Sequence, residues 1–283
     1  MILVTGATGT IGGEVVKQLV EAKHKVRALV RDPAKAAKFG NNVEIVKGDF
    51  EDPASLRAAL KDVEVAFLAT APTERMLEQE ANLINAAKAA RLARLVKLAN
   101  FMAAPKSPAP LGRLHGQIEL RLAASGIAAT VLRPGWYMSN FFGDAASVKT
   151  GQLYGNAGDG RICFTDPVDI AAVAVAALVD PAHAGHFYKI TGPEALTYEE
   201  AAATFTRVLG YKVTSVGTDD ANLGTALRAA MVSEFIIDEM VEIFAMVRRG
   251  ELEFSTNAVQ QVLGRPARSL EQWVTANRSA FSK

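Results

Sequence analysis

The chain has one cysteine, Cys163, among 283 residues. An intrachain disulfide and a cysteine-rich zinc site are therefore excluded, which fits a reducing compartment. Charge of one sign is also lacking: 31 Lys and Arg stand against 30 Asp and Glu, for a net charge of +1. That balance leaves no field to gather nucleic acid or an anionic membrane, so neither partner is expected. The longest apolar stretch, around 170–179, is too short to cross a bilayer. With a first strand beginning at residue 2, no signal peptide is expected, and the expected location is the cytoplasm. Internal repeats of solenoid length and low-complexity segments are absent. His183 and His186 stand three apart without a third ligand type nearby, so no metal is expected.

What the chain does have stands at its start. Ile2-Leu3-Val4-Thr5 runs into Gly6-Ala7-Thr8-Gly9-Thr10-Ile11-Gly12 and then into a segment with apolar residues at helical spacing. A short apolar strand, a glycine turn and a helix make the first unit of a dinucleotide-binding sheet. Gly6 allows a tight exit from the strand, Gly9 lets backbone N–H groups approach a pyrophosphate, and Gly12 lets the helix sit close. The spacing G-x-x-G-x-x-G matches the generic fingerprint only approximately, but strands and helices go on alternating behind it.

Strands are expected at 24–30, 43–47, 65–69, 95–99 and 128–132, with helices at 53–60, 74–90 and 111–124 between them. Pro105, Pro108 and Pro110 keep the segment before the last helix from being helical. Asp169 reads as the cap of a helix over 170–179, 186–190 as a late strand, and Thr197-Tyr198-Glu199-Glu200 as a capping box. The pattern gives an α/β fold: a doubly wound parallel sheet of Rossmann type with a smaller, mostly helical C-terminal substrate part. Residues 1–133 and 165–190 are assigned to the dinucleotide-binding domain, 134–164 and 191–283 to the substrate part, within one compact unit.

In such a sheet the end of the second strand meets the adenosine ribose. An acidic residue there favours NAD, and an arginine favours the 2′-phosphate of NADP. Arg31 is the first residue after Val30, with Lys35 one turn on, and its planar guanidinium suits a phosphate. NADP(H) is the expected cofactor, with Asp32 as the competing carboxylate if the loop shifts. Asp49, in Gly48-Asp49-Phe50, is placed at the adenine or in a plain strand-to-helix turn; Phe50 lies beside it. Thr70, Ala71 and Pro72 end the fourth strand at the crevice. Gly6, Thr8, Gly9, Thr10, Ile11 and Gly12 complete the cofactor set.

The runs Val4–Gly13, Val30-Arg31-Asp32-Pro33, Gly48-Asp49-Phe50, Leu132-Arg133-Pro134-Gly135 and Val262–Trp273 resemble the NmrA-like branch of the atypical short-chain dehydrogenases. The likeness spans nearly the whole chain. Within the branch it is nearest to the NADPH-dependent triphenylmethane-dye and quinone reductases, which implies reduction of a small hydrophobic aromatic substrate. Some NmrA-like proteins are instead non-catalytic NADP-binding sensors that act through a protein partner, so the resemblance leaves both classes open.

Ordinary short-chain dehydrogenases use a Tyr-x-x-x-Lys pair to deliver a proton to a carbonyl oxygen. Four positions beyond Tyr137, Tyr154, Tyr188, Tyr198 and Tyr211 stand Phe141, Gly158, Gly192, Ala202 and Ser215, so the pair is missing. A strongly electrophilic conjugated acceptor can take hydride and be protonated by solvent, so hydride transfer itself is not excluded. On the helix that would carry the pair, His115 and Glu119 stand one turn apart. His115 is a candidate proton donor or a hydrogen-bonding residue without chemical role. Glu119 is a candidate for a ribose hydroxyl or a partner of His115 or Arg121. Asn100 is a candidate for the nicotinamide or substrate, or a loop cap; Tyr137 completes the catalytic candidates and Pro134 the cofactor set. Phe101, Met102, Trp136, Tyr137, Met138, Phe141 and Phe142 are candidate pocket lining. Met231 and Phe235, with Ile236 and Met240, form a helical stripe that either closes the pocket or belongs to the core. A monomer or homodimer is expected.

Overall fold

The short apolar runs of the first half become the strands of one sheet in the computed structural model, which describes residues 1–283. In chain order the elements are β1 (Ile2–Val4), α1 (Thr10–Glu21), β2 (Val26–Val30), β3 (Val43–Lys47), α2 (Pro53–Ala59), β4 (Val65–Leu68), α3 (Met76–Ala89), β5 (Arg94–Leu98), α4 (Pro110–Ser125) and β6 (Ala128–Pro134). There follow β7 (Trp136–Tyr137), α5 (Ala145–Lys149), β8 (Gln152–Gly155), β9 (Ile162–Thr165), α6 (Pro167–Val179) and β10 (Phe187–Ile190). The chain ends with β11 (Ala195–Leu196), α7 (Tyr198–Leu209), β12 (Thr214–Gly217), α8 (Asp220–Ala229), α9 (Glu234–Arg248), α10 (Ala258–Leu263), α11 (Leu270–Ala276) and α12 (Arg278–Phe281). No helix is long and apolar enough to cross a membrane.

Seven strands pair in the order β10-β6-β5-β4-β1-β2-β3 in a parallel sheet. This is the doubly wound order, with β10 added beside β6. The winding reverses between β1 and β4, and a ligand fits at the carboxyl ends of the strands at such a switch point. Thr5 fixes the floor there: its hydroxyl donates to Phe67 O (3.1 Å) and Ala69 O (2.9 Å) and accepts from Ala69 N (2.9 Å).

The chain divides into two compact units: Met1–Ser107, Leu111–Pro134 and Ile170–Lys189 form the first, and Pro108–Pro110, Gly135–Asp169 and Ile190–Lys283 the second. In the first, strand residues Leu3, Leu68 and Leu95 pack with Leu56 of α2, Leu83 and Ile84 of α3 and Ile118 and Leu122 of α4. Each such side chain contributes about 1.5–3 kcal/mol relative to exposure. In the second, Phe141, Phe164, Tyr198, Phe205 and Trp273 form an aromatic cluster around α7, whose start is fixed by the Thr197–Glu200 capping box. Cys163 is buried there, with Sγ 3.6 Å from Gly192 O and 3.4 Å from Glu194 O.

Several expectations are corrected. The second unit is less purely helical than its pattern suggests, because β7, β9 and β11 form one small sheet and β8 and β12 another. β9 lies in that sheet, so the first unit resumes at Ile170 rather than at residue 165. α6 begins at Pro167, and Asp166, whose Oδ1 accepts from Val168 N at 2.8 Å, does the capping expected of Asp169. Asp169 instead accepts from Arg268 N (2.7 Å) and pairs with Arg265 (2.8 Å). Met231 has a φ of 60° in the turn between α8 and α9 and is 91% exposed, so it stands outside the stripe of Phe235, Ile236 and Met240.

Candidate active site

β1 delivers the chain into Gly6, whose φ of 60° is costly for any residue with a Cβ. A Cβ on Gly6 would stand 2.9 Å from Ala69 O, and one on Gly12 only 2.2 Å from Gly6 O. α1 therefore rests directly on the strand exit. No side chain caps the first turn of α1, its N-cap is Gly9, and no acidic residue stands in that turn. The first N–H groups of a helix have no partner within it, and its dipole adds positive charge at the same end. Thr8, Gly9 and Thr10 are exposed, while Ile11 and Gly12 are buried beneath them. Backbone donors, a bare helix end and no carboxylate fit a pyrophosphate. Lys38, which sequence reasoning passed over, brings its Nζ to 3.7 Å from where a Gly13 Cβ would stand, so a cation lies beside this turn.

At the end of β2, Arg31 and Lys35 are both exposed. The competing Asp32 is engaged locally: its Oδ1 accepts from Ala34 N at 3.0 Å and caps the 3₁₀ stretch Pro33–Asn42. Asp49 is half-buried in a tight turn, with Oδ1 accepting from Glu51 N (2.9 Å) and its own N–H donating to Ser55 Oγ (3.0 Å). Phe50 O accepts from Asn82 Nδ2 at 2.9 Å, which ties this turn to α3. Ala71 and Pro72 are exposed beyond the end of β4.

Behind the strand ends runs a chain of polar groups that sequence reasoning did not find. Thr70 Oγ1 donates to Glu80 Oε1 at 2.8 Å. Lys97 Nζ lies 3.0 Å from each Glu80 oxygen, and both side chains are 0% exposed. The same ammonium donates to the Leu98 carbonyl and lies 3.4 Å from His115 Nδ1. Strand alternation puts Lys97 on the face of Leu95 and Ala99, toward α3 and α4. α4 is pressed onto the loop after β5, since Gly112 O accepts from Ala104 N (3.1 Å) and a Cβ on Gly116 would meet Ala104 C at 2.2 Å. That close approach brings His115 to the end of β5. The signal available in the sequence was one lysine inside an otherwise apolar strand, Leu95-Val96-Lys97-Leu98-Ala99.

Burial pushes the Glu80 carboxyl above its ordinary range, against the opposing pull of Lys97 and the Thr70 hydroxyl. His115 is held well below its ordinary 6.5, by burial first and then by the charges of Lys97 and Arg133. Glu119 is paired with Arg133 rather than with His115 or Arg121, with Nε–Oε1 at 3.0 Å and a second contact between Nη2 and Oε2. Asn100 Oδ1 is buried without a hydrogen-bond partner, which fits a ligand amide or hydroxyl donor at the end of β5. Pro134 O accepts from Phe101 N at 3.2 Å, holding the β5 and β6 exits together.

Of the expected lining, Met102 is buried and Phe101 half-buried in the first unit. The others lie in the second unit. Met138 and Phe141 are 1% exposed there, and Phe141 sits inside the aromatic cluster, so both serve its interior. Trp136 packs on Phe244 with ring centroids 5.5 Å apart, and Phe142 stacks on Phe281 at 5.7 Å. Phe142 is 44% exposed, and Phe235 is half-buried on α9. Burial raises the Tyr137 phenol well above its ordinary range, the reverse of what the lysine of a Tyr-x-x-x-Lys pair achieves. His183 Nδ1 is 2.7 Å from the Tyr188 hydroxyl.

The sequence pattern of the NmrA-like family matches residues 1–274. The NAD(P)H azoreductase of Xenophilus azovorans is 38% identical over 283 residues, covering 99% of each chain. Among solved structures, the Escherichia coli NADPH-dependent quinone oxidoreductase complexed with NADPH has a TM-score of 0.89 and 31% identity, covering 98% of this chain and 100% of that one. The Citrobacter sp. triphenylmethane reductase complexed with NADP(H) has a TM-score of 0.85 and 26% identity, covering 98% of this chain and 99% of that one.

Proposed function

The chain belongs to the NmrA-like family, and from that membership we propose that it is an NADPH-dependent reductase passing hydride directly to a conjugated aromatic acceptor, a quinone or a triphenylmethane-type or azo dye. The observation that carries the reading is the bare, carboxylate-free N-terminus of α1 bedded on Gly6. Full-length relatives whose names are those of NAD(P)H azo, quinone and triphenylmethane reductases support the chemistry.

The N–H groups of Thr8, Thr10 and Ile11 and the α1 dipole hold the pyrophosphate. Arg31, Lys35 and Lys38 supply positive charge for the additional phosphate of NADP. Thr70, Ala71 and Pro72 bound the crevice at the end of β4, and the Asn100 side-chain oxygen receives an N–H or O–H from the ligand at the end of β5. NADPH bound there supplies the hydride. The protein orients the acceptor against Phe101 and Met102 and limits water around it. The acceptor class follows from what is missing. Without a Tyr-x-x-x-Lys spacing, and with His115 held neutral, no group is poised to hand a proton to an alkoxide. Acceptors that delocalise the incoming charge have no need of such a group.

The test is to mix purified protein with NADPH and a panel of quinones, azo dyes and triphenylmethane dyes and to follow NADPH absorbance. Multiple turnovers, abolished by Gly12→Val, are expected. Tight NADPH binding without turnover on any acceptor would replace this reading with that of a redox sensor.

A further inference from the structure

Stability alone does not account for the Glu80–Lys97 pair. Removing two ions from water costs several kcal/mol per ion, and well-packed apolar residues in place of a buried pair are often neutral or stabilising by about 1–4 kcal/mol. The neighbouring strand positions, Leu95 and Ala99, are apolar and buried on the same face. An ion pair sealed at 0% exposure beneath the strand ends of a ligand crevice therefore calls for a chemical use.

We infer that Lys97 is a positioning residue that fixes the tautomer of His115: its ammonium, 3.4 Å from Nδ1, makes that nitrogen the acceptor and leaves Nε2–H as a neutral hydrogen-bond donor. An ammonium has only N–H bonds to offer, so Nδ1 must present its lone pair, and the single proton of the neutral ring resides on Nε2. Burial first, and then the charged groups around the ring, keep it neutral. Lys97 faces it from β5 and Arg133 from β6, and both disfavour a positive charge on the ring. Glu119, on the same helix, is taken up by Arg133, and Glu80 reaches from α3 to Lys97 rather than to the ring. Glu80, itself held by Thr70, supplies the countercharge that lets a lysine stand in this interior.

The inference rests on the reductase reading for its use and deepens it. Hydride addition to a quinone places a negative charge on the carbonyl oxygen at the far end of the conjugated path. The Nε2–H of His115 hydrogen-bonds to that oxygen. The hydrogen and both electrons come from the reduced nicotinamide, which is oxidised, and the proton that completes the hydroquinone comes from water. A neutral imidazole acts in this way as a fixed dipole, not as an acid. The substrate class is thereby narrowed to acceptors whose reduction ends on an oxygen or nitrogen able to receive such a bond.

The test is nitrogen NMR on protein labelled at its four histidines, with the His115 signals assigned through His115→Gln. Expected are a pyrrole-type Nε2, a pyridine-type Nδ1 and no titration of His115 near 6.5, the ordinary histidine value. In Lys97→Met/Glu80→Gln, which removes both charges together, His115 is expected to titrate at least about one pH unit higher and to mix its tautomers. A wild-type ring protonated on Nδ1, or one titrating near 6.5, overturns the inference even where the variant does not fold. So does a folded double variant with an unchanged ring. For the use of the donor, His115→Phe is expected to lower quinone kcat/KM about a hundredfold, with His115→Gln, which keeps an N–H, retaining most of it. Equal rates for wild type and His115→Phe overturn that use. A protein that reduces no quinone removes the function reading, while the spectra still decide the role of Lys97.

Discussion

Both units bury charge, and they ground it differently. In the first, Glu80 and Lys97 are each 0% exposed, so neither end of the pair reaches water. In the second, Asp166 and Asp169 are 0% and 1% exposed, but Arg268 and Arg265 come to them with 28% and 41% of their side chains in solvent. The second arrangement is an anchor: two carboxylates at the start of α6 hold the segment 264–269, and arginine stems bridge from interior to surface. The first has no such structural task. A pair sealed on both sides keeps its full field in a low-dielectric interior, where it can act on a neighbouring ring.

The largest effects are expected from removing one partner of a buried pair in each unit. Lys97→Met is expected to cost about 3–5 kcal/mol by leaving the Glu80 carboxylate alone, with Lys97→Met/Glu80→Met returning most of it in chemical denaturation. A half-buried carboxyl of the second unit, Asp144, has no anchoring arginine and is pushed by desolvation from its ordinary 3.8 to about 6. Its folded form binds a proton more tightly than its unfolded form. The group thus costs nothing below about pH 4, and its penalty grows as the pH rises to about 6 and stays full above. Asp144→Asn is therefore expected to raise stability at pH 7 by about 2–3 kcal/mol, at about 1.4 kcal/mol per pKa unit, and to leave it unchanged at pH 3 in parallel melts. Asp169→Asn should lose about 2 kcal/mol, the worth of a charge-assisted bond to Arg268 N, and should expose the tail to limited proteolysis. The smallest effect on folding is expected at Arg31, an exposed charge. Arg31→Ala should leave the denaturation midpoint alone and raise the NADPH Kd about tenfold, or about 1.4 kcal/mol, with little change for NADH. Equal losses for both would remove the phosphate assignment.

The sheet and its phosphate turn were legible because they are local. A strand, a turn and a helix lie within 2–21, and the need for glycine follows at 6 from its positive φ and at 12 from contacts inside that stretch. The Thr197–Glu200 box was legible for the same reason. Asp169 was misread because Asp166 offers the same chemistry three residues earlier, and only the first turn of α6 decides between them. The Glu80–Lys97–His115 chain joins residues 17 and 18 apart on α3, β5 and α4, so no single window of sequence holds it. The aromatic run 136–142 announced a hydrophobic surface without saying which way it faces. Phe141 turned inward among Phe164, Phe205 and Trp273, whereas Phe142 next to it is 44% exposed.

The lone thiol has a practical consequence. Cys163 is 3% exposed, and burial raises its pKa, so in the closed fold it is both shielded and slow to ionise. It belongs to the second unit, and no other sulfhydryl competes with it. Its rate of modification by a thiol reagent is a clock for the opening of that unit alone. Timed with and without NADPH, it reports whether the nucleotide slows that opening.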